Sequence, residues 1–364
     1  KEKLIPKKES FQDFDKKLDR EQSTTMVFVR LLTKLLRDTA IGSRVVPIVP
    51  DEARTFGMDA LFRQFGIYSS EGQKYEPEDA DKVMFYRESE SGIMLEEGIN
   101  EAGAFSAWLA LSTSYSNNNF PMIPFYIFYS MFGFQRTHDL AWAAGDSRAK
   151  GFLLGATSGR TTLNGEGLQH QDGHSHILAS TIPNCRSYDP CYSYELSAII
   201  QEGIKDMYEC ENDRYYYITL MNENYSHPAR PKKLKNDEIL RGAYKFKQAK
   251  NANLRILASG VTLNFALEAA EELKKYQINA DIWSITSFNE LYKDGIEVER
   301  HNRLNATVKK PYVQICFEEE MPTLAVSEYQ RAYPNQIREW IKGEYKILGT
   351  DGFGRSDTRE ELRD

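Results

Sequence analysis

Three of the six histidines in this 364-residue chain lie in one glycine-rich stretch, GRTTLNGEGLQHQDGHSH (159–176). His170, His174 and His176 are of a residue type that binds zinc, and the first two would share a face if the stretch were helical. Gly173 lies between them, which disfavours a regular helix, and no cysteine accompanies them. The stretch is therefore a zinc site, a polar loop with locally hydrogen-bonded histidines or, as we favour, an active-site loop.

Glycine-rich phosphate-binding motifs are not found in the sequence. The motif G-x-x-x-x-G-K-[ST] is absent, and no glycine is followed by lysine. GEGLQH (165–170) begins like G-x-G-x-x-G but ends in His170, and GTDGFG (349–354) has a different glycine spacing. Neither stretch predicts a nucleotide-binding fold.

Glu101 occupies a helical position where a carboxylate is unusual. In the helix predicted over 95–112, the other residues of its stripe are apolar: Ala104, Phe105 and Trp108. A carboxylate buried there would have to be protonated, paired or bonded to a ligand, because burying it alone costs several kcal/mol. The structural alternative is a first-turn glutamate that reaches solvent and interacts favourably with the helix dipole. We interpret Glu101 as a buried functional acid.

Aromatic residues occupy most positions of FYIFYSMFGFQR (125–136). Core packing explains most of them. Tyr129, Phe132 and Gly133 fall where the predicted strand ends, and ligands of open α/β sheets bind at the carboxyl ends of strands. A flat ring and a tyrosine hydroxyl at that place suit a planar heterocycle.

Strands that alternate with helices must position these residues, and this order predicts a parallel α/β sheet. The predicted strands are RVVPIVP (44–50), PFYIFY (124–129), GFLLGAT (151–157) and RYYYITLM (214–221). RTHDLAWAAGD (136–146) is a predicted helix, and a further helix is predicted with Asp189 as N-cap and Pro190 as its first residue. The acidic stretch SSEGQKYEPEDADK (69–82) predicts a mobile surface loop that gates the site.

A second, smaller α/β unit is predicted after the lysine-rich SHPARPKKLKND (226–237). Its predicted elements are the strands NLRILASG (253–260), NADIWSIT (279–286) and PYVQICFEE (311–319), and the helix TLNFALEAAEELKKY (262–276).

The composition is that of a globular protein long enough for two domains, with 41% hydrophobic and 27% charged residues. A net charge of −7 argues against nucleic-acid binding, which needs a basic face. FPMIPFYIFYSMFGF (120–134) is too short for a membrane span, and prolines and a glycine interrupt it. Four irregularly spaced cysteines favour a reducing cytoplasm. Both ends of the sequence look cut from a larger protein, since no methionine begins it and the last residues start a helix.

Five sequence stretches together closely resemble the homodimeric bacterial pyruvate dehydrogenases, the thiamine-diphosphate-dependent decarboxylating component of the pyruvate dehydrogenase complex. They are VPDEARTFGM (49–58), EEGINEAGA (96–104), PFYIFYSMFGFQR (124–136), GATSGRTTLNGEGLQHQDGHSHI (155–177) and LGTDGFGRSDTRE (348–360). The resemblance extends from about Thr24 to Asp364. It implies the parallel-sheet pyrimidine-binding (middle) domain of the transketolase-like thiamine enzymes over 23–230 and a truncated carboxyl-terminal transketolase-like domain over 231–364. Residues 1–22 are expected to form a linker or peripheral segment.

The resemblance also implies how the cofactor is held. Glu101 matches the glutamate that hydrogen-bonds a ring nitrogen of the aminopyrimidine and favours the tautomer that takes the proton from the thiazolium carbon. Phe132 matches the aromatic residue packed on the pyrimidine, and Ile99 matches the apolar wedge that keeps the cofactor bent. Asp51 and Glu52 match acids near the aminopyrimidine.

For the substrate, Tyr129 and His170 match polar groups near pyruvate and the reaction intermediate, whereas we interpret His174 and His176 as structural. The implied reaction decarboxylates pyruvate and then transfers the two-carbon unit to a lipoyl group on the dihydrolipoamide acetyltransferase partner. In this family each site lies between two subunits of a homodimer. The diphosphate-binding domain, with its Gly-Asp-Gly…Asn magnesium motif, has no counterpart here, so we expect about half a site in this chain.

Two other classes of function remain open. One is another transketolase-like thiamine enzyme, or the β-type chain of a two-chain oxo-acid dehydrogenase, which co-purification with an α-type chain would indicate. The other is a non-catalytic interaction module, which the retention of Glu101, Tyr129, Phe132 and His170 disfavours.

Overall fold

The computed structural model describes residues 4–50, 53–76, 86–165 and 167–364. Asp51, Glu52 and residues 77–82 of the predicted gating loop lie outside the described residues. Within the described residues the α-helices are α1 Glu9–Gln12, α2 Thr24–Leu36, α3 Asp59–Phe65, α4 Glu101–Ser112, α5 Ser114–Asn117, α6 Gly133–Asp146, α7 Ser175–Ser180, α8 Ser193–Ile204, α9 Asn236–Leu240, α10 Thr262–Leu273, α11 Phe288–Leu304, α12 Tyr312–Cys316, α13 Ala332–Asn335 and α14 Arg359–Arg363. The strands there are β1 Val45–Val49, β2 Ile67–Tyr68, β3 Glu88–Ser89, β4 Leu95–Glu96, β5 Ile123–Phe128, β6 Phe152–Gly155, β7 Cys185–Tyr188, β8 Tyr215–Thr219, β9 Tyr244–Lys247, β10 Leu254–Ala258, β11 Ala280–Ser284, β12 Thr323–Val326 and β13 Tyr345–Leu348.

The first unit of the fold is a six-stranded sheet with its helices, in the strand order β4-β1-β5-β6-β8-β7. Every neighbouring pair in this sheet is parallel. Because helices cover both faces of a parallel sheet, its strands are buried on both sides, and β1, β5 and β8 are buried at every position. The predicted strands at 44–50, 124–129, 151–157 and 214–221 correspond to β1, β5, β6 and β8, which confirms the parallel α/β class.

The second unit is a five-stranded sheet with its helices, in the order β13-β12-β10-β11-β9, and only β9 pairs antiparallel in it. The strand predicted at 311–319 is wrong, because this segment contains the short helix α12. Val313 and Phe317 are fully buried at helical spacing. A short apolar run is compatible with either a buried strand or a buried helix, which explains the error.

The connection between β7 and α8 also differs from the prediction. The helix α8 begins after Tyr192, so the N-cap role predicted for Asp189 is wrong. Asp189 instead directly follows β7, an edge strand that the sequence pattern did not indicate. Its carboxylate accepts a hydrogen bond from Thr219 Oγ1 at 2.7 Å, and burial raises the pKa of Asp189 to about 7. The backbone N–H of Tyr192, the N-cap residue, donates to the carboxylate of Glu195 at 2.9 Å, so this N–H group at the start of the helix has a hydrogen-bond partner.

One continuous apolar core connects the two units and the amino-terminal segment. It contains Ile218 of the first sheet and Ile282 of the second, together with Phe11 and Phe14 from the segment expected to be a linker or peripheral. The domain boundaries expected at residues 23 and 230 remain predictions. No helix in the described ranges has both the length and the apolar character needed to cross a bilayer.

Candidate active site

A pocket of about 220 Å³ opens at the carboxyl ends of β1 and β5. This is the edge at which parallel sheets bind ligands. Every predicted site residue that the structure describes lies in its wall. The described residues of the wall are Pro50, Ile99, Glu101, Phe128, Tyr129, Phe132, Arg136 and His170. Asp51 and Glu52 follow Pro50 in the chain but lie outside the described residues. The pocket therefore brings together residues that are up to 120 positions apart, from Pro50 to His170.

Glu101 is the first residue of α4, which begins later than the helix predicted over 95–112. Asn100 is the N-cap and accepts a hydrogen bond from the backbone N–H of Gly103 at 3.0 Å. The start of a helix favours a negative charge, so this placement suits a carboxylate. Ala104, Phe105 and Trp108 are buried on the same stripe, as the sequence indicated.

The carboxylate of Glu101 is largely buried, with 17% of its side chain exposed, and it is paired. Arg136 Nη1 donates to its Oε1 at 2.5 Å. Of the three states open to a buried carboxylate, the structure shows the ion-paired one. The guanidinium group of Arg136 also lies 4.1 Å from the centre of the Phe132 ring.

The turn between β5 and α6 positions the aromatic wall. The backbone N–H groups of Phe132 and Gly133 both donate to the carbonyl of Tyr129, at 2.9 and 3.1 Å. A Cβ on Gly133 would come within 2.0 Å of the Phe128 ring, so only glycine fits at this point. The tight turn directs Phe132 into the pocket and starts the helix that carries Arg136.

Three rings converge at the pocket. The Tyr129 and His170 ring centres are 4.8 Å apart, and those of Phe132 and His170 are 5.4 Å apart. Ile99 lies at the rim with 73% of its surface exposed, which is unusual for an apolar side chain and leaves it available to a ligand. These groups form an apolar, aromatic slot with the carboxylate of Glu101 at its end, which suits a flat nitrogen heterocycle.

The three histidines of the glycine-rich stretch 159–176 have separate surroundings. His170 lies in the pocket, whereas His174 Nε2 lies 2.5 Å from the side-chain nitrogen of Gln135. His176 is fully buried, its Nε2 is 3.0 Å from Thr219 Oγ1, and burial lowers its pKa to about 3. Within the described ranges, no three His, Cys, Asp or Glu residues are grouped to hold a metal ion.

Sequence reasoning did not assign a role to Arg136. It belongs to the motif PFYIFYSMFGFQR (124–136) and lies four residues after Phe132 in the chain, a spacing at which helical side chains meet. That spacing was the available signal. The acid it pairs with, however, lies 35 positions earlier, and nothing in the sequence pattern links the two.

The two sheets and the position of the pocket define the class of transketolase-like α/β proteins. The transketolase from Leishmania mexicana has the same fold, with a TM-score of 0.72 at 16% identity over 98% of this chain and 45% of that chain. The chain belongs to the family described as the pyruvate dehydrogenase E1 component middle domain, whose model matches residues 8–228. A model described as the transketolase-like C-terminal domain matches residues 242–364.

Curated relatives support this assignment. The pyruvate dehydrogenase E1 component of Pseudomonas aeruginosa is 59% identical over 353 residues, which are 95% of this chain and 40% of the relative. The E1 component of Escherichia coli K12 is 52% identical over 97% of this chain and 41% of its own length. The chain thus spans about 40% of the length of the curated relatives it matches.

Proposed function

We propose that this chain provides the pyrimidine-binding side of the active site in a pyruvate dehydrogenase E1 component. In this proposal, the full-length protein decarboxylates pyruvate on thiamine diphosphate and transfers the acetyl unit to the lipoyl group of dihydrolipoamide acetyltransferase. The observation that carries it is that Ile99, Glu101, Tyr129, Phe132 and His170 all line the same pocket. The high identity to E1 components supports the same assignment.

The residues of the pocket fit the aminopyrimidine of thiamine diphosphate. When bound, this cofactor would supply an acidic thiazolium carbon and, as its base, the exocyclic imino nitrogen of the aminopyrimidine. Glu101 would accept a hydrogen bond from a protonated ring nitrogen. A carboxylate has about four lone-pair sites, so Glu101 can bind the ring and Arg136 together. Phe132 would pack on the ring, and the exposed Ile99 would be covered by the cofactor.

Tyr129 and His170 would act on the substrate side of the pocket. Their rings are in contact, and both carry groups that donate or accept a hydrogen bond. In this position they would orient pyruvate by hydrogen bonds and donate or accept protons during acetyl transfer. Asp51 and Glu52 would add acidic groups near the aminopyrimidine, as the family resemblance implies.

The rest of the site would come from elsewhere in the full-length homodimer. The sequence of this chain contains no Gly-Asp-Gly…Asn motif, so we place the magnesium and diphosphate ligands in the diphosphate-binding domain of the other subunit. Cys185, Cys191, Cys210 and Cys316 are all free thiols, which supports a reducing, cytoplasmic location.

An assay of carbon dioxide release from pyruvate tests the proposal. It includes thiamine diphosphate, magnesium and an artificial electron acceptor, and it compares the full-length protein with the 364-residue chain. We expect turnover by the full-length protein and none by the chain, because the diphosphate would have no anchor. Turnover by the chain alone would contradict the half-site assignment. A full-length protein that instead transfers two-carbon units between sugar phosphates would establish the transketolase alternative.

A further inference from the structure

The segment that connects β6 to α7 and carries His170, here called the His170 loop, spans 156–174, and Glu166 within it is not described. It belongs to the first unit, yet the second unit holds it. Its contacts with the second unit come from the turn that follows β12 and the segment that follows β13. Few apolar side chains of its own anchor such a glycine-rich loop, so polar contacts hold it in addition to the packing of His170 on the Tyr129 and Phe132 rings.

Glu328, just after β12, makes the densest of these contacts. Its Oε2 accepts hydrogen bonds from the backbone N–H groups of Arg160 at 2.8 Å and Thr161 at 2.6 Å. Its Oε1 accepts the hydroxyl of Thr161 at 2.5 Å. Glu328 is 2% exposed, so water cannot replace these bonds without opening the contact between the units.

A second set of contacts lies directly beside His170. The side-chain oxygen of Gln171 accepts the backbone N–H of Arg355 at 2.6 Å, and Gln171 is 2% exposed. The backbone N–H of Gln330 donates to the carbonyl of Gly173 at 2.8 Å. The loop is therefore fixed to the second unit on both sides of the pocket residue.

Two glycines allow this close approach. Gly159 has a φ of +85°, and a Cβ there would lie 2.7 Å from Thr162 Oγ1 and 3.1 Å from Glu328 Oε2. A Cβ on Gly173 would come within 2.4 Å of the guanidinium group of Arg160. That guanidinium in turn donates to the carbonyl of Thr350 at 2.7 Å. Glycine at these positions thus serves the contact between units.

We propose that Glu328 is a positioning residue that acts through His170: the second unit fixes the His170 loop and thereby holds the histidine against Tyr129 in the pocket. The inference rests on the proposed function for the role of His170. It gives the second unit, which contributes no residue to the pocket wall, a part in the reaction. Misplacement of a catalytic group by about 1 Å can cost on the order of 10²-fold in rate.

Glu328→Gln in the full-length protein is the first variant to test. Gln presents an N–H₂ group to a donor, and so breaks one side of the contact while keeping the size. We expect kcat for lipoyl acetylation to fall roughly 10- to 100-fold. The Kd for thiamine diphosphate should stay within about twofold, because Glu101 and Phe132 are held by other elements. Glu320→Gln, an exposed glutamate in the same unit, is the matched control.

A double-variant cycle distinguishes positioning from a general effect on the fold. In the His170→Ala background, Glu328→Gln should cause no further loss of acetylation, because the group through which it acts is gone. Losses that multiply in the double variant would overturn the proposal. If Glu328→Gln does not fold, Thr161→Val removes only the hydroxyl bond, and Thr161→Ser should restore it; equal rates for these two variants would also overturn the proposal.

Hydrogen exchange tests the loop contact independently of the chemistry. Glu328→Gln should speed exchange at the amides of Arg160 and Thr161 at least tenfold relative to Glu320→Gln, and unchanged protection would overturn the proposal. A wild-type protein that releases no carbon dioxide from pyruvate would refute the proposed function instead. The two failures are therefore distinguishable.

Discussion

Replacing Glu101 by glutamine in the full-length protein gives the sharpest test of the pocket. The change keeps the size of the side chain and removes its charge. Two interactions are affected: the ion pair with Arg136 and the proposed hydrogen bond to the cofactor ring. They differ in magnitude, because Arg136 is 49% exposed and regains water when the pair is lost.

The expected magnitudes follow from this difference. An ion pair with one half-exposed partner contributes about 0–1 kcal/mol to stability, so the melting temperature should fall by no more than a few degrees. Loss of an acid–base group costs about 10²-fold or more in rate, which corresponds to roughly 2.7 kcal/mol of activation free energy. Carbon dioxide release should therefore fall at least about a hundredfold in a protein that remains folded.

Arg136→Gln is the control, since it breaks the same ion pair and keeps the carboxylate. We expect a similar melting temperature and a much smaller loss of rate than for Glu101→Gln. A near-normal rate for Glu101→Gln would refute the assignment of the carboxylate. Equal losses in both variants would show that the pair, and not the carboxylate alone, carries the effect.

Three further predictions concern the histidines, a buried acid and the gating segment. His170→Ala should lower lipoyl acetylation at a nearly unchanged melting temperature, whereas His174→Ala and His176→Ala should lower stability by about 1 kcal/mol per lost hydrogen bond. A metal analysis that finds one zinc per chain, released by each of the three substitutions, would contradict this. Because burial raises the pKa of Asp189 to about 7, the contribution of this group to the free energy of unfolding should fall as pH rises from about 4 to 7. The stability of the wild type relative to Asp189→Asn, from denaturant titrations at pH 5 and 8, should therefore be lower at pH 8, and an unchanged difference would contradict this. Amide exchange in the described part of the gating segment, residues 69–76, should slow when a substrate-like ligand binds the full-length protein, and equal protection in both states would speak against a gate.

Four of the six strands of the first sheet, β1, β5, β6 and β8, could be predicted from the sequence because each is an apolar run that a parallel sheet buries on both faces. The pocket residues were identified through motifs rather than through periodicity. β7 and α12 were not predicted, because short segments lack a distinguishing period and their identity depends on neighbours. The hydrogen bond between Glu328 and Thr161 joins residues 167 positions apart, and the sequence around each residue contains no pattern that links the two segments. Long-range polar contacts of this kind need coordinates.

The apolar core that runs from Ile218 of the first sheet to Ile282 of the second makes the two units one cooperative system. Neither sheet can lose its packing without exposing the core face of the other, so heat should melt both in a single calorimetric transition. The same continuity limits recombination between relatives. A hybrid that joins the second unit of one E1 component to the first unit of another must match the side chains of this shared core as well as the contacts of the His170 loop. Accordingly, the two units are expected to be inherited and exchanged as a pair.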